Sequence, residues 1–305
     1  MRKRRNTKMK KLLSTAIALI ILGIAGILGT NEKLVDTVSN IGEQVNTQNE
    51  QQIEFVAQED LLIDYIDVGQ ADSILIRNQD KVMLIDAGTN EAGETVVNYL
   101  ENLGITKIDY LIGTHPHEDH IGGLDDVINK FDIGQIYMPK IETTTKTFED
   151  VLEAIENKKL TVIAPNKGDE IVLGQATGEF MTEPILDKDN LNVSSLIFRL
   201  EFGDNSFLFM GDAEEENEKT ISWPKTDVLK VGHHGSSTSS SEEFLKQVQP
   251  QYAIIMVGED NSYGLPTQEI IDKLNTIGST IYRTDENGTI QLTSDGNTIE
   301  IKTSK

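Results

Sequence analysis

The chain has 305 residues, contains no cysteine and carries 50 acidic against 27 basic residues, for a net charge of −23. This length suffices for one large domain or two modest ones, and the absence of cysteine excludes disulfides, thiolate metal ligands and thiol nucleophiles. Seven of the basic residues lie within the first eleven, so 20 basic and 50 acidic residues remain for the rest of the chain; we therefore expect no stable nucleic-acid complex, although bound metal ions would reverse the field locally.

An uncharged apolar segment follows the basic N-terminus, at positions 12–29. As a helix it would be about 27 Å long, close to the ~30 Å hydrocarbon core of a bilayer. Basic residues before it and an acidic chain after it agree with the positive-inside rule. We interpret residues 1–30 as a signal anchor that contacts the membrane, with a cleaved signal peptide as the alternative. Residues 31–59 are polar and predict a stalk, so both alternatives predict that residues 60–305 lie outside the cytoplasm.

Residues 60–305 have the pattern of one globular domain with alternating strands and helices. Apolar runs bounded by turn residues predict strands at 61–68, 72–77, 81–88, 108–115, 135–139, 160–164, twice within 195–212, and at 227–232 and 252–258. Helical spacing predicts helices at 94–104, 121–131, 147–158, after Asp212, and at 241–248 and 267–276. Turns at 286–288 and 295–296 predict a terminal meander. This succession indicates an α/β (α+β) fold, an αββα sandwich of two facing sheets, preceded by the N-terminal hydrophobic helix.

Three of the five histidines lie within six residues, in THPHEDHIGG at 114–123. A strand ends at this motif and delivers His115 to the edge of its sheet, and His117 points the same way in an extended chain. Asp119 and His120 follow where the loop turns into the next helix. Two imidazoles at one point and a carboxylate with an imidazole at another suit two metal ions about 3.5–4 Å apart. Ligands without sulfur favour Zn²⁺, with Mn²⁺ or Fe²⁺ as alternatives.

The pattern H-x-H-x-D-H-x-G-G at the end of a strand resembles the signature of the metallo-β-lactamase superfamily. Other segments are similar to the hydrolase domain of the ComEC competence-protein family: YIDVGQADSILI (65–76), LIDAG (84–88), LFMGDAE (208–214), DVLKVGHHGSS (227–237) and IYRTDENGTI (281–290). The similarity extends over about residues 60–303. It implies the metallo-β-lactamase type of αββα sandwich and a metal-dependent hydrolase.

The resemblance implies a set of ligands for two metal ions. The corresponding residues are His115 and His117 at the first site, Asp119, His120 and His233 at the second, and Asp212 bridging both. We favour His233 over His234 as this ligand because the preceding strand ends at Gly232. The histidine that does not bind the metal would lie behind the ligands or face the substrate. A third histidine that many members have at the first site is missing, because none lies between His120 and His233.

The resemblance also implies roles for residues around the metals. Asp119 and Asp212 correspond to the catalytic carboxylates, with Asp119 placed to orient the attacking water or accept its proton. Asp86 would accept a hydrogen bond from a ligand and so orient it. Three residues are assigned to substrate binding. Asn192 lies in the stretch that takes the place of the missing histidine, and it could also fill the first site. Ser236 and Ser237 precede a helix whose N-terminus could attract phosphate.

The predicted centre would hydrolyse its substrate with a water activated between two metal ions, as a metal-bridged hydroxide. We therefore expect an extracytoplasmic phosphodiesterase that acts on DNA or on a phosphate-bearing polymer of the cell surface. A catalytically degenerate member that binds a ligand or partner is the alternative from another functional class. A lactonase or lactamase is less favoured, because the HHGS motif resembles the ComEC-like branch.

Overall fold

A computed structural model describes residues 60–305. The predicted anchor and stalk therefore lie outside the described residues. Within this range there are two β-sheets of eight and seven strands, eight α-helices and two short 3₁₀ helices. No helix of residues 60–305 is both long enough and apolar enough to span a bilayer.

The strands alternate with helices along much of the chain. The strands are β1 Leu61–Tyr65, β2 Ile74–Asn78, β3 Lys81–Ile85, β4 Lys107–Ile112, β5 Asp132–Tyr137, β6 Val162–Ile163, β7 Glu170–Leu173, β8 Ala176–Phe180, β9 Phe198–Phe202, β10 Asn205–Phe209, β11 Val228–Lys230, β12 Tyr252–Ile255, β13 Thr280–Arg283, β14 Ile290–Ser294 and β15 Ile299–Thr303. The α-helices are α1 Gly93–Asn102, α2 Glu118–Ile121, α3 Leu124–Lys130, α4 Lys146–Asn157, α5 Glu215–Glu218, α6 Glu242–Val248, α7 Gln268–Thr276 and α8 Thr284–Asn287. The 3₁₀ helices are Leu191–Ser194 and Gly232–Gly235.

Each sheet combines an antiparallel part with a parallel part. The strand order is β15-β14-β1-β2-β3-β4-β5-β6 in the first sheet and β13-β12-β11-β10-β9-β8-β7 in the second. Strands β3 to β6 run parallel in the first sheet, and β10 to β13 run parallel in the second. Within each parallel part the carboxyl ends of the strands lie at one edge of the sheet, which is where loops of such sheets commonly carry functional side chains.

Three apolar clusters define the layers. The first lies between the two sheets and contains buried side chains from both, including Tyr65 of β1 and Phe198 of β9. The second packs α1, α3 and α4 against the outer face of the first sheet, and the third packs α6 and α7 against the outer face of the second. The expected sandwich of two sheets between helical layers is confirmed for residues 60–305, while the predicted N-terminal helix falls outside them.

Phe198 is a sensitive position in the layer between the sheets. Its ring is buried and packs against the ring of Phe180 at a tilt of 58°, with the centroids 5.3 Å apart. It lies so close to Gly178 that a Cβ there would come within 2.2 Å of it. We expect Phe198→Ala to lower the free energy of unfolding by about 3–5 kcal/mol, since it leaves a cavity in the core. Urea denaturation measures this change. The control Val172→Ala, at a side chain 57% exposed, should shift it by less than about 0.5 kcal/mol.

Several predicted boundaries differ from the structure for local reasons. The helix expected over 121–131 is two short helices, because Gly122 and Gly123 separate α2 from α3. Strands β7 and β8 were not predicted; their apolar residues alternate with polar ones over only four or five positions. The helix after Asp212 is the single turn α5.

Candidate metal centre

Four loops at the carboxyl ends of strands carry the candidate ligands. Asp86 follows β3 directly, and His115 comes after β4, in the first sheet. In the second sheet Asp212 comes after β10 and His234 after β11. Neighbouring parallel strands end at the same edge, so each sheet contributes adjacent loops to one place. All four side chains are buried.

One group of side chains, which we call the second ligand group, consists of Asp119, His120, Asp212 and His234. Asp212 Oδ1 lies 3.1 Å from His120 Nε2 and 3.5 Å from His234 Nε2. Asp119 Oδ2 lies 3.3 Å from His234 Nε2. None of the atoms His120 Nε2, His234 Nε2 and Asp212 Oδ1 has a hydrogen-bond partner, although all three are buried. Such atoms are costly unless something else binds them, and their chemical types fit a divalent ion such as zinc.

The two histidines of this group are held by their other ring nitrogens. His120 Nδ1 donates to Asp86 Oδ2 at 2.8 Å. His234 Nδ1 donates to the carbonyl oxygen of Met256, also at 2.8 Å. Each acceptor requires the proton on Nδ1, so Nε2 of each ring presents its lone pair to the site.

Asp86 is itself fixed by Thr114, which adjoins the histidine cluster. The backbone N–H and the hydroxyl of Thr114 donate to the two carboxylate oxygens of Asp86 at 2.8 and 2.7 Å. Asp86 has a left-handed backbone conformation, with φ 58°, which aspartate tolerates better than most residues. The hydrogen bond that Asp86 accepts from His120 corresponds to the orienting contact predicted for Asp86.

A second set of side chains, the first ligand group, consists of His115, His117 and Asp212. His115 Nε2 faces His117 Nδ1 at 3.0 Å and Asp212 Oδ2 at 3.9 Å. The two oxygens of Asp212 therefore face different groups, Oδ1 the second and Oδ2 the first. One carboxylate between two sets of ligands is the arrangement expected of a bridging ligand.

The two histidines of the HHGS motif, His233 and His234, lie differently from the sequence prediction, which favoured His233 in the second group. The structure puts His234 there, whereas His233 Nε2 lies 3.8 Å from the other oxygen of Asp212, Oδ2. The reason is local: β11 ends at Lys230, and His233 and His234 both have left-handed φ, 47° and 52°. Left-handed conformations are uncommon outside glycine, and here they turn the two side chains toward different sides of Asp212.

Asp72 and Lys230 form a buried ion pair behind the second ligand group. This pair was not predicted from the sequence. Lys230 Nζ contacts Asp72 Oδ2 and donates to the carbonyl oxygen of Gly211 at 3.3 Å. Asp72 Oδ1 lies 3.4 Å from His234 Nδ1, and the Asp72 N–H donates to the carbonyl oxygen of Asp119 at 3.1 Å. The lysine within the apolar strand DVLKVG was the available signal, because a buried lysine requires an acidic partner.

Negative charge surrounds His120. Burial lowers the pKa of His115 well below its ordinary value, and the nearby charge of His120 adds to this. Burial would also lower the pKa of His120, but Asp212 and Asp86 more than offset it and raise that pKa well above its ordinary value. Without a metal, this field favours a second proton on His120, at Nε2. A divalent cation would satisfy the same field and would bind the neutral ring through the Nε2 lone pair.

The ligand groups open into a pocket of about 440 Å³. Among its lining side chains are Asp119, Asn192 and His233. Ser236 and Ser237 do not line it in the described part of the chain, and the backbone N–H of Ser241 ahead of α6 donates to Glu218 rather than facing the pocket. The substrate role of the two serines therefore stays a prediction, and Asn192, which lines the pocket, is a candidate for contacts with a substrate.

Close packing of backbones requires glycine at the last two positions of THPHEDHIGG, Gly122 and Gly123. A Cβ at Gly122 would lie 2.2 Å from the backbone nitrogen of Asn90 and 2.5 Å from the carbonyl oxygen of Glu118. A Cβ at Gly123 would lie 2.4 Å from the carbonyl oxygen of Ala87. The loops after β3 and β4, which carry Asp86 and the histidines, therefore touch at these glycines.

Gly122→Ala should push these two loops apart. We expect a loss of about 3 kcal/mol in the free energy of unfolding, as for other overpacked sites, together with weaker metal binding because His120 moves with its loop. Denaturation and metal titration of the purified variant measure both. The control Gly104→Ala has open space but a left-handed φ of 72°, so it should cost about 1–2 kcal/mol and leave metal affinity unchanged. Equal metal affinity in both variants would contradict the explanation.

Similarity to known proteins agrees with this geometry. A family model described as the metallo-beta-lactamase superfamily matches residues 66–259. ComE operon protein 3 of Bacillus subtilis is 34% identical over 251 residues, which are 75% of this chain and 32% of that protein. Competence protein ComA of Neisseria gonorrhoeae is 29% identical over 245 residues, 78% of this chain and 33% of that one. The chain thus spans about a third of the length of these relatives.

Solved structures show the same fold. Igni18, a metallo hydrolase from the archaeon Ignicoccus hospitalis, superposes with a TM-score of 0.51 over 75% of this chain and 98% of its own, at 14% identity. The resemblance drawn from the sequence motifs is confirmed, since the matched residues exceed half of the chain and include both ligand groups. The chain belongs to the metallo-β-lactamase superfamily.

Proposed function

We propose that the chain is a metal-dependent hydrolase that cleaves phosphodiesters outside the cytoplasm. The observation that carries the proposal is the position of Asp212, which is buried and faces one ligand group with each of its oxygens. Two divalent ions, when bound, would lower the pKa of a water shared between them and stabilise negative charge on a phosphoryl oxygen.

The chain's own residues supply position and orientation. Asp212 holds the two ligand groups together, while Asp86 and the carbonyl oxygen of Met256 fix the rings of His120 and His234. Asp119 is the more exposed of the two ligand-group carboxylates that line the pocket, with 33% of its side chain accessible against 2% for Asp212. It is therefore placed to orient a water against the substrate, and rigid placement of this kind contributes directly to rate.

The substrate class follows from chemistry and from the relatives together. The gonococcal relative is named a competence protein, which supports DNA as a substrate, and phosphate-bearing polymers of the cell surface share the same bond. The basic and apolar residues before position 30 support a location outside the cytoplasm. Susceptibility of the chain to protease added to intact cells tests that location, and protection from the protease would contradict it.

Binding of nucleic acid should depend on the metal. With a net charge of −23, the chain repels a polyanion unless bound cations offset the field at the site. We expect a single-stranded oligonucleotide to show no gel shift with the metal-free chain and a measurable shift after divalent metal is added. Tight binding without metal would contradict this prediction.

A panel of substrates tests the reaction class. The purified chain, loaded with Mn²⁺ or Zn²⁺, is assayed with bis(p-nitrophenyl) phosphate, p-nitrophenyl phosphate, a γ-lactone and a chromogenic β-lactam. We expect the highest kcat/KM for the diester. A higher value for the lactone or the β-lactam would assign the site to those substrates instead. Metal binding without turnover of any substrate would support a ligand-binding member without catalysis.

A further inference from the structure

His233 and His234 direct their side chains to opposite oxygens of one carboxylate. His234 Nε2 lies 3.5 Å from Asp212 Oδ1, and His233 Nε2 lies 3.8 Å from Asp212 Oδ2. His115 Nε2, a member of the first ligand group, lies 3.9 Å from the same Oδ2. Asp212 Oδ2, the oxygen that faces the first group, therefore has ring nitrogens of both His115 and His233 within 4 Å.

The other ring nitrogen of His233 contacts an acidic residue. His233 Nδ1 lies 3.3 Å from Glu214 Oε1 and 3.0 Å from the hydroxyl of Thr238. The hydrogen bond at Nδ1 is with the Thr238 hydroxyl, and the negative charge of Glu214 beside it favours the proton on Nδ1, which leaves the lone pair on Nε2. Asp86 orients His120 through a hydrogen bond of 2.8 Å, and a carboxylate beside the far ring nitrogen is typical of histidines that bind metals.

Glu214 is held in place for this contact. Its Oε2 accepts a hydrogen bond from Asn190 Nδ2 at 2.8 Å, and its Oε1 accepts one from Asn192 Nδ2 at 3.2 Å. Only 16% of the side chain is exposed. Its backbone N–H is satisfied by Asn217 Oδ1 at 3.0 Å, in the capping box of α5. The carboxylate is thus oriented by several contacts before any metal is present.

We propose that His233, oriented by Glu214, completes the first ligand group, so that the two adjacent histidines each serve a different metal ion. The first group otherwise offers only His115, His117 and one oxygen of Asp212. The inference rests on the proposed two-metal hydrolase and adds a ligand and its orienting residue. The distances from Asp212 Oδ2 to His233 Nε2 and to His115 Nε2 are 3.8 and 3.9 Å. Two ligand atoms of one tetrahedral zinc ion lie about 3.3 Å apart when the bonds are about 2.0–2.1 Å long, so both distances are somewhat longer than in a loaded site. The ring of His233 lines the pocket, with 24% of the side chain accessible.

Asn192 is the competing candidate for this position. Its Oδ1 is buried without a hydrogen-bond partner, and its Nδ2 lies 3.3 Å from His233 Nε2. A neutral amide oxygen is a poorer ligand than imidazole for zinc, and the amide nitrogen is already committed to Glu214. The structure therefore favours His233 as the ligand and Asn192 as a residue that supports Glu214.

Metal counting tests the inference without reference to activity. The full purified chain is loaded with Zn²⁺, freed of excess metal by gel filtration and analysed for zinc per chain, and affinities are measured by competition with a chromophoric chelator. We expect two ions in the wild type and one tightly bound ion in His233→Ala, with the second weakened at least about 100-fold. Glu214→Gln should weaken that same ion by about 10–100-fold. Glu216→Gln, at an exposed acid of the same helix, is the matched control and should retain both ions.

The variants separate the possible outcomes. His234→Ala should weaken the other ion, and Asn192→Ala should retain both. Two ions of unchanged affinity in His233→Ala would overturn the inference while leaving the hydrolase proposal intact, as would loss of an ion in Asn192→Ala alone. A wild-type chain that holds fewer than two ions would overturn both. Thermal unfolding of each metal-free variant shows whether a loss of metal reflects a loss of fold.

Discussion

Replacing Asp212 with asparagine should lower kcat/KM for bis(p-nitrophenyl) phosphate by about 10³-fold or more. Asparagine has nearly the same shape but presents one amide oxygen in place of two anionic oxygens, so it cannot bind both ligand groups. Loss of a ligand shared by two ions should remove several kcal/mol of transition-state stabilisation, and each 1.36 kcal/mol corresponds to about tenfold in rate. Initial rates measured with saturating metal, together with zinc content per chain, give the result.

The matched control for this variant is Asp204→Asn. Asp204 is exposed in the turn between β9 and β10, on the strand pair that leads to Asp212. Its substitution should leave the rate within about twofold of the wild type. If Asp212→Asn kept more than a tenth of the wild-type rate with both ions bound, Asp212 would not be the bridging ligand.

Removing the metals should lower the melting temperature by about 5–15 °C. The second ligand group leaves buried nitrogens and a buried oxygen without partners, and a cation that binds only the folded chain stabilises it by about 2.7–4.1 kcal/mol at 100 to 1,000 times its Kd. Each kcal/mol corresponds to about 2–4 °C for a domain of this size. Differential scanning calorimetry before and after chelation measures the difference.

Refilling the stripped chain with zinc should restore the original melting temperature. In His234→Ala the difference between the loaded and stripped forms should shrink, because one ligand of the second group is gone. Identical melting temperatures for the loaded and stripped wild-type chain would show that the buried groups satisfy one another and bind no metal.

Much of the fold could be predicted because the local pattern of apolar and polar residues marks most of its strands. Apolar runs marked the strands near β1 to β4 and β9 to β12, and a strand running into THPHEDHIGG placed its histidines at a sheet edge. The resemblance to the superfamily implied that the motifs after β3, β4, β10 and β11 meet, and the structure explains this because parallel strands of one sheet end together. The two sheets of the sandwich followed from the repeated succession of strands and strand–helix units.

Other features depend on contacts that no local pattern reports. The pair of Asp72 and Lys230 joins the loop between β1 and β2 to strand β11 of the other sheet. Glu214 contacts His233 only because α5 begins beside the turn that follows β11. Left-handed conformations at His233 and His234 are rare for such residues, so the expected strand end at Gly232 favoured His233 and did not predict that His234 lies with the second ligand group. Ser236 and Ser237 were assigned from the helix N-terminus that follows them, and no local pattern showed that the N–H groups of Ser240 and Ser241 ahead of that helix donate to Glu218.

The most direct test of a metal-dependent phosphodiesterase is a titration of activity with metal. The chain is stripped of metal, and the initial rate of p-nitrophenolate release from bis(p-nitrophenyl) phosphate is followed as Mn²⁺ or Zn²⁺ is added in fractions of an equivalent. We predict background release without metal and a rate that rises and levels off at about two equivalents per chain, the number expected for two ligand groups that share Asp212. Release at the full rate from the stripped chain, or none at any amount of either metal, would contradict the account.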